Sequence, residues 1–209
     1  MATTTTNYGF DIPQSTDLVK DGATAIATLG QDIDTAMNTA LGTKKAGMVL
    51  LSSLTFSGVT SQSINDVFSA TYDNYRFIMP ITSLAGNATI TMRLRVGGVD
   101  NSAANYTTET LLGLGAVASA VLNNNGTSFV MQSIDGSTDN FRYVAAFDIF
   151  QPFTTTRTLG LGTIGVTNPT NFFNASASLT HSTNTSFDGF TILSSVAISG
   201  TIQVFGYNK

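Results

Sequence analysis

The chain has 209 residues, 42% of them hydrophobic and only 11% charged, with a formal net charge of −4. That is enough apolar material for one large domain with an appendage, and the charge lies far below the ~25% usual in soluble domains. Nine dispersed Lys and Arg argue against a nucleic-acid partner, and the absence of cysteine excludes disulfides and thiolate metal sites.

The polarity is carried instead by Thr, Ser, Asn and Gly, which suits a β-rich surface or one buried in assembly. The first residues, MATTTTNYGFDIPQ, lack a basic region and an apolar stretch, so no signal peptide is expected. No apolar run approaches the ~18 residues of a membrane span, so no membrane insertion is expected. The chain reads as one made in a cytoplasm and not exported by that route.

Residues 1–14 read as an extended N-terminal peptide. Tyr8, Phe10 and Ile12 alternate with Gly9, Asp11 and Pro13. Two readings fit: an anchor that docks on another protein, or a staple folding back on the following helix.

Residues 15–46 read as an oligomerising helix and linker, with the helix over 16–41. Val19, Ile26, Ile33 and Ala40 recur every seven residues, and Gly22, Leu29 and Ala36 lie three residues after the first three. This is an a/d seam, the pattern of a coiled coil. Val19, Ile26, Leu29, Ile33, Ala36 and Ala40 are the expected contacts between copies. Gly22 and Gly30 each cost about 1 kcal/mol against Ala, so such a helix needs a partner surface to be stable. Ser15 or Thr16 is the expected N-cap, Gly42 the expected stop, and the rod would be about 40 Å long. The other reading is one amphipathic helix lying along its own β domain.

Residues 47–209 read as a β domain. Strands are expected around Val49 to Phe56, Tyr75 to Met79, Ile90 to Val96, Phe129 to Ile134, Arg142 to Phe150, Thr158 to Val166, Ser176 to Thr180, Thr191 to Val196 and Gly200 to Tyr207. Ser57-Gly58, Asn123 to Gly126 and Asp135-Gly136 read as turns. Ile90, Met92, Leu94 and Val96 form the cleanest inward face. Residues 99–120 show no firm period. The whole is expected to be mainly β: a helical coiled-coil stalk followed by an antiparallel, jelly-roll-like β-sandwich.

Chemistry is sparse. The chain has one His and one Glu. His181, in the polar run Thr180 to Asn184, reads as a solvated loop residue. No nucleophile elbow, zinc-protease or phosphate-loop motif occurs. Asp135 to Asp139 reads as Asx-turn chemistry with too few ligands for a calcium loop. No catalytic residue, metal or cofactor is expected, and the chain is not expected to be an enzyme. The stretches Asn101 to Tyr106 and Asn168 to Asn174 have the aromatic and amide content of a sugar site, but also that of a turn with an aromatic packed beneath.

Three pieces resemble a known family. They are Asn7 to Phe10 with Pro13 to Ala23 and Ile26; Phe68 to Arg76; and Phe187 to Thr191 with Ser199 to Lys209. The first is similar to the N-terminal segment of tail fibre and related virion proteins of tailed bacteriophages. The others are similar to the two ends of a C-terminal β-sandwich module in such proteins. Residues 83–186 carry no matching motif. The resemblance implies a short trimeric tail fibre in the virion, assembled in the host bacterial cytoplasm. Tyr8, Phe10 and Ile12 would anchor it to another virion protein, and the β head would face the host surface, with surface glycan as a candidate partner. The alternative is a capsid decoration or head-fibre protein that stabilises the shell. A third reading, a polysaccharide depolymerase, has little support from so few acids and bases.

Overall fold

A computed structural model of the chain describes residues 3–6, 9–12, 18–39, 47–114, 117–134, 142–167 and 172–208. They fall into two compact units, Met1–Gly47 and Met48–Lys209.

The first unit begins with a hairpin where an extended peptide was expected. β1 (Thr3–Thr4) pairs antiparallel with β2 (Asp11–Ile12), Thr3 opposite Ile12. The turn is closed locally. The Phe10 amide donates to Thr5 Oγ1 at 2.9 Å, and the Thr5 amide to the Phe10 carbonyl at 2.8 Å. β2 lies beside α1 (Val19–Met37), the one helix among the described residues. At 19 residues the helix is shorter than the expected 16–41, about 28 Å at 1.5 Å per residue. The residue at its N-cap is Leu18, extended at φ −65° and ψ 140°, with no side-chain cap. This corrects the cap expected at Ser15 or Thr16, which, like Gly42, lie outside the described residues.

The second unit is a curled antiparallel sheet, with eleven strands among the described residues. In chain order they are β3 (Met48–Ile64), β4 (Asn74–Leu84), β5 (Ala88–Val96), β6 (Val99–Asp100), β7 (Tyr106–Leu114), β8 (Val117–Gly126), β9 (Phe129–Ile134), β10 (Arg142–Phe150), β11 (Thr158–Thr167), β12 (Phe172–His181) and β13 (Gly189–Tyr207). The hydrogen-bonded order is β6-β5-β13-β4-β10-β11-β12-β7-β8, with β3 on the other edge of β13 and β9 beside β5. The region without a firm period, 99–120, supplies β6, β7 and the first four residues of β8.

β3 and β13 make the curl. β13 is one long strand where two were expected, and β3 runs on past the turn expected at Ser57-Gly58. Ser57-Gly58 does not turn the chain. Gly58, at φ +65°, sits beside a register shift between β3 and β13, and the strand runs on to Ile64. On its other edge β13 changes neighbours. Residues 189–194 pair with β5, and residues 198–206 pair with β4. Such bulged corner strands let one sheet fold over on itself.

The core fills the fold so made. Phe147 stacks on Phe77 at 5.5 Å between ring centres, Phe77 meets Phe190 at 5.3 Å, and Phe190 meets Phe68 at 5.8 Å. Across the curl, β7 faces β5 and β9. The Leu94 amide donates to the Tyr106 hydroxyl at 3.1 Å, and the Tyr106 and Phe129 rings meet edge to face at 4.7 Å. Alternation places the inward residues, as in β5, where Ile90, Met92 and Leu94 are all buried. Val96, expected to point inward, is exposed at the strand end.

Gly160 and Gly162 of β11 give Ile149 and Phe147 of β10 room to lie across the neighbouring strand. A Cβ on Gly162 would overlap the Phe147 ring and crowd the Ala146 carbonyl. We predict that Gly162→Ala destabilises the chain by about 1–3 kcal/mol, the range for overpacking. Urea unfolding checks this; an unchanged midpoint would show that Phe147 can move freely.

Candidate functional site

Three places bear on function: the helix seam, the N-terminal hairpin and the chemistry-bearing side chains of the head.

On the helix, no residue whose side chain is described is buried. Ile26 is 65% exposed and Ile33 40%, while Leu29 and Ala36 are half-buried. These four recur along the helix at the seam spacing. Val19 opens the helix, and Ala40 lies outside the described residues. Asp21 in the first turn lies where the helix dipole favours an acid. Of the anchor residues, Phe10 is half-buried and Ile12 is exposed, in and beside the hairpin; Tyr8 lies outside the described residues.

In the head, His181 is not a solvated loop residue. It is fully buried at the end of β12. The strand runs one residue past the expected end, and the inward parity of Phe173, Ala175, Ala177 and Leu179 continues to His181. Its ring sits edge to face against Tyr106 at 4.7 Å and Phe187 at 4.9 Å. Nδ1 is 3.1 Å from Thr183 Oγ1. Nε2 and the hydroxyl of Thr158, its cross-strand partner, are both buried with no hydrogen-bond partner among the described residues. Burial lowers the His181 pKa, opposed by a hydrogen bond to the Thr183 backbone. Burial therefore favours the neutral ring, packed among aromatics.

The Asn101 to Tyr106 stretch is a turn with its aromatic beneath. The Ala103 amide donates to Asn101 Oδ1 at 3.1 Å, an Asx turn, and the Tyr106 hydroxyl donates to the Asn101 carbonyl at 2.7 Å. Tyr106 is fully buried, its pKa pushed up to about 12 by burial, so its ring face is not offered to a sugar. In the second stretch, Phe173 is buried and Phe172 exposed, while residues 168–171 lie outside the described residues. The run Asp135 to Asp139 lies outside them too.

The densest polar cluster is structural. Arg95 donates to Asp100, Ser63 Oγ, Thr191 Oγ1 and the Gly98 carbonyl, and Thr191 donates to Asp100 at 2.6 Å. It ties β3, β5, β6 and β13 together where β13 begins. Next to it, Asp188 Oδ2 accepts from the Gly97 amide at 2.6 Å. The residues that carry the family resemblance serve the same region: Phe68, Tyr75, Phe187 and Phe190 are buried, and the Tyr75 hydroxyl closes the loop at Ser69. Among the described residues no group of three His, Cys, Asp or Glu comes together to hold a metal.

One feature was missed in the sequence. β11 places Ile164 and Val166 inward and Leu159 and Leu161 outward, so it is apolar on both faces. β7 does the same with Leu111, and β8 with Val121 and Leu122. Apolar residues at both parities of a strand signal cover on both faces.

The buried His181 makes stability depend on pH. Its folded pKa lies below the unfolded value of about 6.5, so the unfolded chain binds the extra proton first. Stability from this group is complete above pH ~6.5. Below it, stability falls by up to about 1.4 kcal/mol per pH unit until the folded ring also protonates. His181→Gln is predicted to remove that slope while lowering stability at pH 8. Equal slopes between pH 6.5 and 5 in both proteins would show that His181 is not the group responsible.

No protein-family model and no curated protein matches this chain.

Proposed function

We propose that this chain is a structural protein of a bacteriophage particle: a short, trimeric tail fibre attached through its N-terminal unit, with a β head directed at the host surface. The observation that carries it is the exposed seam. Ile26 and Ile33 stand open on a helix that buries none of its described side chains. A lone helix of 19 residues with two glycines is marginal in water. Copies of itself, in a three-stranded coiled coil, supply the missing surface.

The head adds support. Its polar clusters hold strands together, its one histidine is buried, and its curl suits a two-layered, jelly-roll-like sandwich. The hairpin beside the helix gives the N-terminal unit a formed shape for docking on another virion protein, with Tyr8, Phe10 and Ile12 as the anchor. Surface glycan is the proposed host partner. The resemblance of the N-terminal segment and of the two ends of the head to phage fibre proteins joins these parts into one role.

The full chain is predicted to sediment at three times its 21.9 kDa at micromolar concentration. Ile26→Asp with Ile33→Asp is predicted to weaken that association at least tenfold, since each buried isoleucine is worth roughly 1.5–3 kcal/mol. A monomeric wild-type chain would overturn the trimer.

A further inference from the structure

We propose that the outward face of β11, β12, β7 and β8, together with the free edge of β8, is the surface through which neighbouring heads of this chain contact one another. The inference rests on the reading that the chain assembles with itself, and adds where the heads meet.

The face is built by register. Leu161 lies opposite Ser178, Ser178 opposite Glu109, and Glu109 opposite Leu122, so these four form one row across four strands. Leu159 and Leu111 flank the row on the same face. Leu122 is 63% exposed and Leu111 57%. Between the leucines stand mostly Gly, Ala, Ser and Thr, so the surface is low and flat, and a shallow groove runs between Leu111 and Leu161. Among the described outward positions of these four strands Glu109 is the one charged residue.

β8 sharpens the case. It is the last strand in the order, paired among the described residues only with β7, and Val117 to Leu122 are exposed on both faces. Its sequence, VASAVLNNNG, has no charge and no proline. Its one register shift lies at the Asn-rich end, which leaves Val117 to Leu122 regular. Sheet edges are normally guarded by charge, proline or bulges. The edge at β3 has such bulges, beside Gly58 and near Val204. β8 has none along its apolar half, which leaves it a ready template for another chain.

The occupant that fits is a second copy. Four strands about 4.8 Å apart and roughly ten residues long make a face on the order of 600 Å². Each partner of a standard interface buries about 600–1,000 Å². A charged peptide would find one carboxylate to pair with. A glycan would need several aromatic ring faces, and among the described outward residues of these strands Phe172 is the one aromatic, six residues along β12 from the row. A neutral face of leucines among small residues matches another of its own kind.

The test uses the full chain. Sedimentation is measured for the wild type, for Leu122→Asp with Leu161→Asp, and for Ile26→Asp with Ile33→Asp. Amide exchange of β8 is followed at low and high protein concentration. Both leucines are exposed in the single chain, so circular dichroism of the first variant should match wild type. We expect that variant to associate at least tenfold more weakly, and wild-type β8 amides to exchange several-fold more slowly at high concentration. If the leucine variant matches wild type in mass and exchange while the isoleucine variant dissociates, the head contact is overturned, the trimer reading stands, and the face belongs to a different partner. If only the leucine variant dissociates, the head contact stands and the helix seam fails. A wild type that is monomeric throughout overturns both. Should the leucine variant misfold, the exchange of wild-type β8 decides, and concentration-independent exchange overturns the proposal.

Discussion

The head depends on one constraint: a single strand must serve two neighbours in succession. β13 runs along β5 and then along β4, with β3 on its other edge throughout. The corner falls near Ser194 to Ser199. Backbone groups that lose their ladder partners there are paired in other ways. The Ala85 amide donates to the Ala197 carbonyl, the Thr89 amide to Ser195 Oγ and the Gly58 amide to Ser199 Oγ. Both serine bonds are solvent-exposed, so each contributes only about 0.5–1.5 kcal/mol to holding the bend. Gly200 lies just beyond it, where a Cβ would overlap the Pro80 carbonyl.

The rest of the core follows from that bend. It carries Phe190 over Phe68 and Phe77, and brings β5 and β9 opposite β7. Arg95 then fastens the strands at the start of β13, while Tyr106, His181 and Phe187 pack beneath the adjacent loop. Tyr106, Phe173 and His181, which looked suited to ligand chemistry, are thereby consumed by packing, while Phe172 stays exposed. What remains outward is a plain β surface and, in the other unit, a helix with its seam uncovered. Both features point to assembly as the proposed role.

Much of the fold was legible from residue order, for physical reasons. Ile90 to Val96 and Arg142 to Phe150 alternate cleanly because one face of each is core. The helix was legible because its apolar residues recur at helical spacing. The long strands were not. Ser57-Gly58 has turn chemistry, yet a glycine at φ +65° serves a bulge equally well. Ser194 to Ser199 interrupts the apolar pattern of β13, and nothing local says that the strand continues. His181 was misread because its polar neighbours suggested a loop, while the parity running from Phe173 already placed it inward. The outward leucines were hidden in a glycine-dense strand, where apolar residues at both parities were the signal.

The proposed account has the seam and the head face holding copies together, and the N-terminal unit attaching them. An averaged electron-microscopy image of a particle carrying this protein tests that most directly. The account predicts a three-fold appendage on the tail, with its β heads furthest from the attachment point. Density spread over the capsid shell, or a single copy standing alone, would contradict it.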